Sequence, residues 1–405
     1  MKIYPEVFLK PGKEAAVKRF HPWIFSGAIS HQTGNPVEGD IVEIFSSAKE
    51  YLATGHFTGG SIAVKLFSFS QQEIDDTFWK RKLQSAWDLR SSLGLTDNLI
   101  TNAYRLVFTE GDGLPGLIID YYNGAVVIQA HSLGMYKAQP ALVRALQEIY
   151  GDKLKTVYDK SSETLKMPFS QKGSDIQTKE SRVKDHYLVG TTQQGLISET
   201  GHSFTVDWER GQKTGFFLDQ RANRMFAQFY AKDKRVLNAF CYSGAFSVYS
   251  LKGGASLVHS VDSSRQAIEW TEENVALNGF DAARHRSFVS DIKKYLSESD
   301  EKYDMIILDP PAFAKTHAVT NNALHAYVHI NTAAMKRLKA GGLLFTFSCS
   351  QAISREMFRS AIQSAALESG REIKILHHLS QGPDHPVSIY HPEGEYLKGL
   401  ILWVK

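Results

Sequence analysis

Val236-Leu237-Asn238-Ala239-Phe240-Cys241-Tyr242-Ser243-Gly244-Ala245-Phe246 decides the fold. An apolar run of strand length ends in Asn and small residues, turns at Ser243-Gly244, and passes into a helical pattern. The same alternation continues outward. Strands are expected at 235–240, 256–262, 285–290, 303–309 and 342–348, with 372–378 and 399–404 at the far end. Ser263 is the expected N-cap of a helix reaching about Asn278, and Gly341-Gly342 the expected end of a helix that starts near Asn322. Strand–helix alternation over 191–405 predicts a parallel, Rossmann-like α/β sheet. Ligands of such sheets gather at strand C-termini. Three strand ends here carry polar or turn chemistry: the loop from Asn238 to Gly244, Asp309-Pro310-Pro311-Ala312-Phe313, and Ser348-Cys349-Ser350.

Residues 1–72 read differently. Ile41-Val42-Glu43-Ile44-Phe45 alternates, as does Ser61 through Leu66, and Gly39, Gly55, Gly59 and Gly60 punctuate the runs. A small β-barrel is expected. Helical periodicity starts near Asp76 and runs through Phe78, Leu83, Trp87 and Leu89. Over 73–190, strands at Tyr104–Phe108, Leu117–Tyr121, Ala125–Gln129 and Lys155–Tyr158 surround a helix from about Leu133 to Ile149, an α+β segment. The polar stretch 160–190 reads as a loop or linker.

The whole chain has 405 residues, a net charge of +3 and 11% aromatic residues. That length predicts two or three domains, and the charge is compatible with RNA without demanding it. Cys241 and Cys349 are the two cysteines, far apart and in no metal spacing, so neither a disulfide framework nor a metal site is expected. No stretch approaches the ~18 uncharged apolar residues of a membrane span. Met1-Lys2-Ile3-Tyr4-Pro5-Glu6 lacks the apolar core of a signal peptide, so the expected location is cytoplasmic.

The first strand's loop lacks the three glycines that a pyrophosphate needs for close backbone approach. S-adenosylmethionine carries no phosphate and tolerates a loop with one glycine. Asp262 ends the second strand, where a carboxylate suits ribose hydroxyls, and Asp291 ends the third, where it would accept from an adenine amine. The bland alternative is that such Asp residues cap helices. The candidate cofactor set is Phe217, Gln220, Asn238, Phe240, Ser243, Gly244, Asp262, Ser263, Asp291, Asp309 and Pro310. Phe217 and Gln220 enter through Lys213-Thr214-Gly215-Phe216-Phe217-Leu218-Asp219-Gln220-Arg221, a weak motif whose apolar middle would cover the cofactor.

Asp309-Pro310-Pro311 is stiff and lacks two backbone donors, which suits holding the polar edge of a flipped base. Cys349 sets the reaction class. C5 of cytosine is a poor nucleophile until a thiolate adds at C6, so a thiol facing this loop points to covalent methyl transfer. A cofactor's positive charge favours the thiolate. Cys241, inside the loop, reads as an inert core residue.

With these motifs in hand, the chain resembles the ribosomal large-subunit methyltransferase I family. Leu9-Lys10-Pro11-Gly12 and His21-Pro22-Trp23-Ile24-Phe25 are similar to its PUA domain. Thr109 through Leu117 is similar to its central domain. Thr214–Arg221, Asn238–Phe246, Asp309–Phe313 and Ser348-Cys349-Ser350 follow its catalytic domain in order, and Asp384-His385-Pro386, Tyr390 through Gly394, and Lys398-Gly399-Leu400 follow its C-terminal end. The resemblance implies a class I methyltransferase domain behind a PUA-like barrel and a central α+β domain. It implies S-adenosylmethionine as cofactor and 5-methylcytosine formation in 23S rRNA, free or in a partly assembled subunit. Cys349 would be the nucleophile and Asp309 a base contact, with Lys10, His21, Trp23, Arg221 and Lys315 on RNA. An exposed barrel edge is where a homodimer would pair.

The leading rival is methylation of a base nitrogen, such as guanine N7. Asp-Pro-Pro-x-Phe suits that reaction too, but a nitrogen nucleophile has no use for Cys349. A non-catalytic RNA-binding protein is the rival of another class, and a dehydrogenase is disfavoured by the missing glycines.

Overall fold

The computed structural model describes residues 3–165, 183–314 and 320–405. The chain divides into two compact units. The first holds residues up to Ile197, with Val206–Phe216 and Pro383–Gly394; the second holds Ser198–Thr205, Phe217–Gly382 and Glu395–Lys405.

In the first unit, β1 (Glu6–Leu9), β2 (Trp23–Phe25), β3 (Ile29–Gln32), β4 (Ile41–Phe45), β5 (Tyr51–Phe57) and β6 (Ile62–Ser68) make one sheet in the order β2-β6-β5-β4-β1-β3. The alternation read in β4 puts Val42 and Ile44 inward, where they join Val7, Leu9, Ile24, Val64 and Leu66. A second sheet, ordered β11-β10-β9-β8-β7, contains β7 (Ala103–Phe108), β8 (Leu117–Tyr122), β9 (Ala125–Ala130), β10 (Thr156–Asp159) and β11 (His186–Val189). Strand β11 lies in the stretch expected to be loop; residues 166–182 of that stretch are outside the described residues. The expected helix 133–149 is two helices, Leu133–Lys137 and Gln139–Tyr150. Pro140 is the reason: it has no N–H to carry a helix through and is tolerated in a first turn.

The helix Asp76–Ser92 starts on its cap, with the Asp75 carboxylate accepting from the Phe78 N–H. Phe78 and Leu83 are buried as the periodicity predicts, whereas Leu89 is exposed and its neighbour Arg90 is buried. Arg90 meets the Asp112 carboxylate with both terminal nitrogens and donates to the Asp384 carbonyl oxygen at 2.7 Å. Arg105 grips Asp120 at 2.7 and 2.8 Å, and its N–H donates to Asp384 at 3.1 Å. These bonds fasten Pro383–Gly394 to the first unit.

A two-stranded ribbon follows, β12 (Gln194–Glu199) and β13 (His202–Asp207). The second unit is built on a seven-stranded sheet: β14 (Arg235–Ala239), β15 (Leu257–Asp262), β16 (His285–Val289), β17 (Tyr303–Leu308), β18 (Leu338–Ser348), β19 (Ile373–Leu379) and β20 (Lys398–Val404), ordered β16-β15-β14-β17-β18-β20-β19. β14 through β18 are parallel, but β20 runs antiparallel to β18 and β19. The expectation of a parallel sheet therefore holds for five strands. Leu237, Ile306, Leu344 and Leu402 pack with Tyr327, Ile330 and Phe358 of the helices Thr320–Arg337 and Arg355–Ser369. Each such buried side chain contributes ~1.5–3 kcal/mol of transfer free energy.

Two expected boundaries move. Ser264, not Ser263, caps the helix Arg265–Leu277, because its side chain accepts from the Ala267 N–H while Ser263 is exposed. Gly341-Gly342 does not end a helix. That helix stops at Arg337, and Leu338 already pairs with Tyr303. The glycines lie in the register shift that follows, where Gly341 takes φ +79°.

Candidate active site

Strand order reverses at β14, whose neighbours are β15 and β17, and the crevice above such a point is where open α/β sheets bind ligands. The loop leaving β14 is held in a strained form. Phe240 and Tyr242 have φ of 59° and 47°, and Gly244 has φ 76°. Non-glycine residues in the left-handed region cost ~1–3 kcal/mol and need surrounding structure to hold them. Four contacts supply it. The Tyr242 N–H donates to Asp262 at 3.0 Å, Thr271 donates to the Tyr242 carbonyl oxygen at 2.8 Å, Asn274 donates to the Ser243 carbonyl oxygen at 2.9 Å, and the Cys241 N–H donates to the Val261 carbonyl oxygen at 3.2 Å. Gly244 is required twice over: a Cβ there would stand 2.6 Å from Thr271 Cγ2.

The expected cofactor residues fall into two groups. Phe217, Phe240, Ser243, Gly244 and Asp262 belong to this loop and its supports; the Phe217 and Tyr242 rings meet edge-on at 5.1 Å. Asp262 accepts the Tyr242 N–H on one oxygen and the Ser264 N–H, at 2.9 Å, on the other. Each carboxylate oxygen has a second lone pair, so both can still accept from a ribose. Asn238 donates to Ser247 at 2.8 Å, and its buried carbonyl oxygen has no partner among the described residues. The second group makes other contacts. Exposed Asp291 caps Ile292–Glu298, accepting from the Lys293 and Lys294 N–H groups at 2.9 and 3.1 Å. Buried Gln220 accepts from Asn223 at 2.6 Å. Ser263 makes no cap.

Asp309 is half-buried at the end of β17, and Pro310 is buried. The Cys349 thiol, half-buried one residue past β18, lies 3.9 Å from the Pro310 carbonyl oxygen and is oriented to donate to it. The Ala314 N–H donates to the Ser350 hydroxyl at 3.2 Å, which ties the two loops together again. Cys241 is buried instead, and burial pushes its thiol up to about 12. Of the two thiols, Cys349 is the more exposed. The sequence reading did not single out Lys398, buried at the head of β20, whose ammonium donates to the Ser350 carbonyl oxygen at 2.6 Å. Its signal was present: a lone lysine leading an otherwise apolar strand.

Of the expected RNA contacts, His21 and Trp23 are neighbours, their rings 6.1 Å apart. Arg221 is buried, with Nε 3.3 Å from Glu199, which also receives both forks of Arg224 at 2.8 Å. A buried guanidinium held on a buried carboxylate is not exposed to RNA, so the expected Arg221 contact is corrected. Trp23 is half-buried and donates to Glu110 at 2.8 Å, and its ring lies 4.4 Å from that of His391. His21 is half-buried, 3.8 Å from Glu393. Lys10 is exposed and donates to the Gly27 carbonyl oxygen at 2.9 Å. Lys315 lies outside the described residues.

The sheet order, the loop after β14 and its Asp262 support define a class. The chain belongs to the S-adenosylmethionine-dependent methyltransferases, whose family model matches residues 180–389, and a PUA-like domain matches residues 7–69. S-adenosylmethionine is accordingly its cofactor, and the acceptors on Asp262 and Asn238 suit a nucleoside without phosphates. Within that class the chain belongs to the family of the ribosomal RNA large subunit methyltransferase I proteins. It is 39% identical over 403 residues to the one from Alteromonas mediterranea and 40% identical over 405 residues to that of Tolumonas auensis, covering 98% of each chain in both comparisons. The fold matches a solved structure from Streptococcus mutans assigned to the SAM-dependent methyltransferases, with a TM-score of 0.82 at 24% identity over 98% of this chain and 100% of that one. A second solved structure, complexed with SAH, matches equally well, at the same identity and coverage.

Proposed function

We propose that this protein methylates C5 of a cytosine in large-subunit ribosomal RNA, with Cys349 as the nucleophile. The observation that carries this reading is the Cys349 thiol at the sheet's C-terminal edge, 3.9 Å from the carbonyl of the Asp309-Pro310-Pro311 loop. The relatives' names supply the rRNA, and the thiol supplies the atom.

In this reading the Cys349 thiolate adds to C6 and turns the ring into an enamine whose C5 is nucleophilic. S-adenosylmethionine supplies the electrophilic methyl group. A base then takes the C5 proton, and the electrons returning to the ring expel the thiolate. Asp309 and the Pro310 carbonyl hold the polar edge of the base. Phe217, Phe240, Ser243, Gly244 and Asp262 hold the cofactor, with Asp262 on the ribose. The target base must leave its stack, which favours a single-stranded or loop segment of RNA. The same reading divides the chain into an RNA-binding PUA-like barrel over 1–72, a central α+β segment over 73–190 and the methyltransferase domain over 191–405.

The test is incubation with labelled S-adenosylmethionine and rRNA transcripts carrying 5-fluorocytosine, whose fluorine blocks the last elimination. A denaturation-stable adduct that disappears in Cys349→Ala is the expected result. Methyl transfer to ordinary RNA without any trapped adduct would replace this reading with nitrogen methylation.

A further inference from the structure

We propose that a cavity in the first unit, walled by the rings of Phe20, Phe69 and Tyr390 and lined by Glu110 and Lys82, binds one unpaired guanine of the RNA substrate. The inference rests on the reading of that substrate as single-stranded or loop RNA.

The cavity has a volume of about 250 Å³, and every residue lining it belongs to the first unit. That is below the ~300–1,000 Å³ of a drug-sized ligand site and suits a single base. Its walls come from distant parts of the chain. Phe20 follows the short helix Ala15–Lys18, Lys82 stands on the helix Asp76–Ser92, and Tyr390 belongs to Pro383–Gly394. The last segment runs so close to Gly111 that a Cβ there would collide with the Pro386 carbonyl oxygen.

Phe20 meets Phe69 edge-on at 5.2 Å, and meets Tyr390 at 5.3 Å with the ring planes tilted by 50°. Neither contact is a face-to-face stack, so ring faces remain for a base. Phe20 is 48% and Tyr390 52% exposed, which is not how rings that close a core are placed. Phe20 also takes φ 62°, at a helix-ending position that favours glycine. The Phe20 N–H donates to the Val17 carbonyl oxygen at 2.8 Å and the His21 N–H to that of Ala16 at 3.0 Å, and these bonds hold it there. An aromatic ring held out to solvent on a strained backbone is a stacking platform. Exposed Arg19, next to Phe20 in the chain, supplies a positive charge for a flanking phosphate.

The polar groups are anchored too. Glu110 Oε1 accepts from the Trp23 indole N–H at 2.8 Å, and Lys82 Nζ donates to the Gly113 carbonyl oxygen at 3.3 Å. The Gly113 N–H donates to the Glu110 carbonyl oxygen at 3.1 Å, so one turn of chain carries both anchors. Burial pushes the Glu110 carboxyl up, but hydrogen bonds from Thr109 and Trp23 and the Lys65 charge outweigh it and keep the group below the usual carboxylate value. Burial lowers Lys82 to about 8, which leaves it a cation at neutral pH. The cavity therefore offers an acceptor carboxylate and a donor ammonium between aromatic walls. Guanine alone of the four bases presents two adjacent N–H donors, at N1 and N2, beside the O6 acceptor. A carboxylate takes both donors and an ammonium takes O6. Adenine and cytosine put a ring acceptor where guanine has N1–H, and uracil has a single N–H between two carbonyls.

The test is fluorescence anisotropy of the full-length chain with labelled oligouridines carrying one central guanine, adenine, cytosine or no substitution, at one fixed salt concentration. The guanine oligomer is expected to bind about tenfold more tightly than the others. Tyr390→Ala should weaken its binding about tenfold through lost stacking, and Glu110→Gln should level the four oligomers. Equal wild-type affinities, or no binding by any oligomer, overturn the proposal, as does unchanged binding in Tyr390→Ala. If Glu110→Gln does not fold, inosine replaces guanine in the oligomer and removes the N2 amine while the protein stays wild type. Weaker binding of inosine supports the carboxylate contact, and equal binding overturns it. Trapping with 5-fluorocytosine separates this proposal from the chemistry at Cys349. A guanine preference without a trapped adduct upholds the cavity and removes C5 methylation. An adduct without a guanine preference removes the cavity alone.

Discussion

The Cys349 thiol and the Pro310 carbonyl oxygen lie 3.9 Å apart, although they belong to loops that leave two different strands. β17 and β18 are parallel neighbours, so their C-terminal loops emerge side by side at one edge. Cys349→Ala should therefore abolish methyl transfer while cofactor binding, measured calorimetrically, stays unchanged. Full activity in that variant would remove Cys349 from the reaction.

Asp262 supports the loop after β14 and, in the proposed reading, the cofactor's ribose, and its loss should show both. Asp262→Ala strips an acceptor from the Tyr242 and Ser264 N–H groups and from the proposed ribose contact. S-adenosylmethionine affinity should fall by ~1–3 kcal/mol, the value of hydrogen bonds to a charged group. An unchanged dissociation constant in titration calorimetry would take Asp262 out of the site.

Gly244→Ala meets both a left-handed backbone and the Thr271 side chain. The loop after β14 must shift, at a stability cost of ~1–3 kcal/mol. Urea unfolding measures the cost, and cofactor binding should weaken with it because the same loop is displaced. Wild-type behaviour in both would show that the loop relaxes freely.

Glu199 is buried between Arg221 and Arg224, so Glu199→Ala leaves buried cations without their carboxylate. Breaking a buried pair costs ~3–5 kcal/mol. The urea midpoint should fall accordingly, and a loss of under ~1 kcal/mol, the range of a surface pair, would contradict the buried arrangement.

Buried histidines set an acid limit, His56 and His259 among them. Burial lowers His56 from 6.5 to about 3 and His259 from 6.5 to about 4. His259 is buried, with the hydroxyls of Tyr295 and Tyr303 3.0 and 2.9 Å from its Nδ1. Between the unfolded and folded values the unfolded chain binds more protons, so stability rises with pH there. The full contribution is present above 6.5 and is lost as pH falls toward about 4 for His259 and about 3 for His56. Each contributes a slope of up to ~1.4 kcal/mol per pH unit. Urea midpoints that stay flat from pH 7 to 4.5 would contradict this, and His56→Phe should reduce the slope.

How legible each element was follows from how local its cause is. The strands of the large sheet were readable because a buried strand is a short apolar run bounded by turns, whatever surrounds it. Asp309-Pro310-Pro311 and Ser348-Cys349-Ser350 were readable as strand ends for the same reason. Pro140 splits a helix that hydrophobic periodicity alone had joined. Ser263 and Ser264 are adjacent hydroxyls, and only backbone geometry decides which one caps. Arg221 reads as an RNA contact in sequence because its partner, Glu199, lies 22 residues away in the chain.

The amino-acid sequence alone determined the strand–helix alternation, the single-glycine loop suited to a cofactor without phosphates, and a cysteine at a strand end. Each is a local pattern imposed by backbone period, turn chemistry or side-chain reactivity. Tertiary structure alone decided which partners those residues meet. It drew Pro383–Gly394 to the first unit through Arg90 and Arg105, committed Arg221 to Glu199, and set Lys398 on the carbonyl after Cys349. Those pairings depend on strand order and register, which bring residues far apart in the chain within hydrogen-bond reach, and no local pattern encodes such a distance.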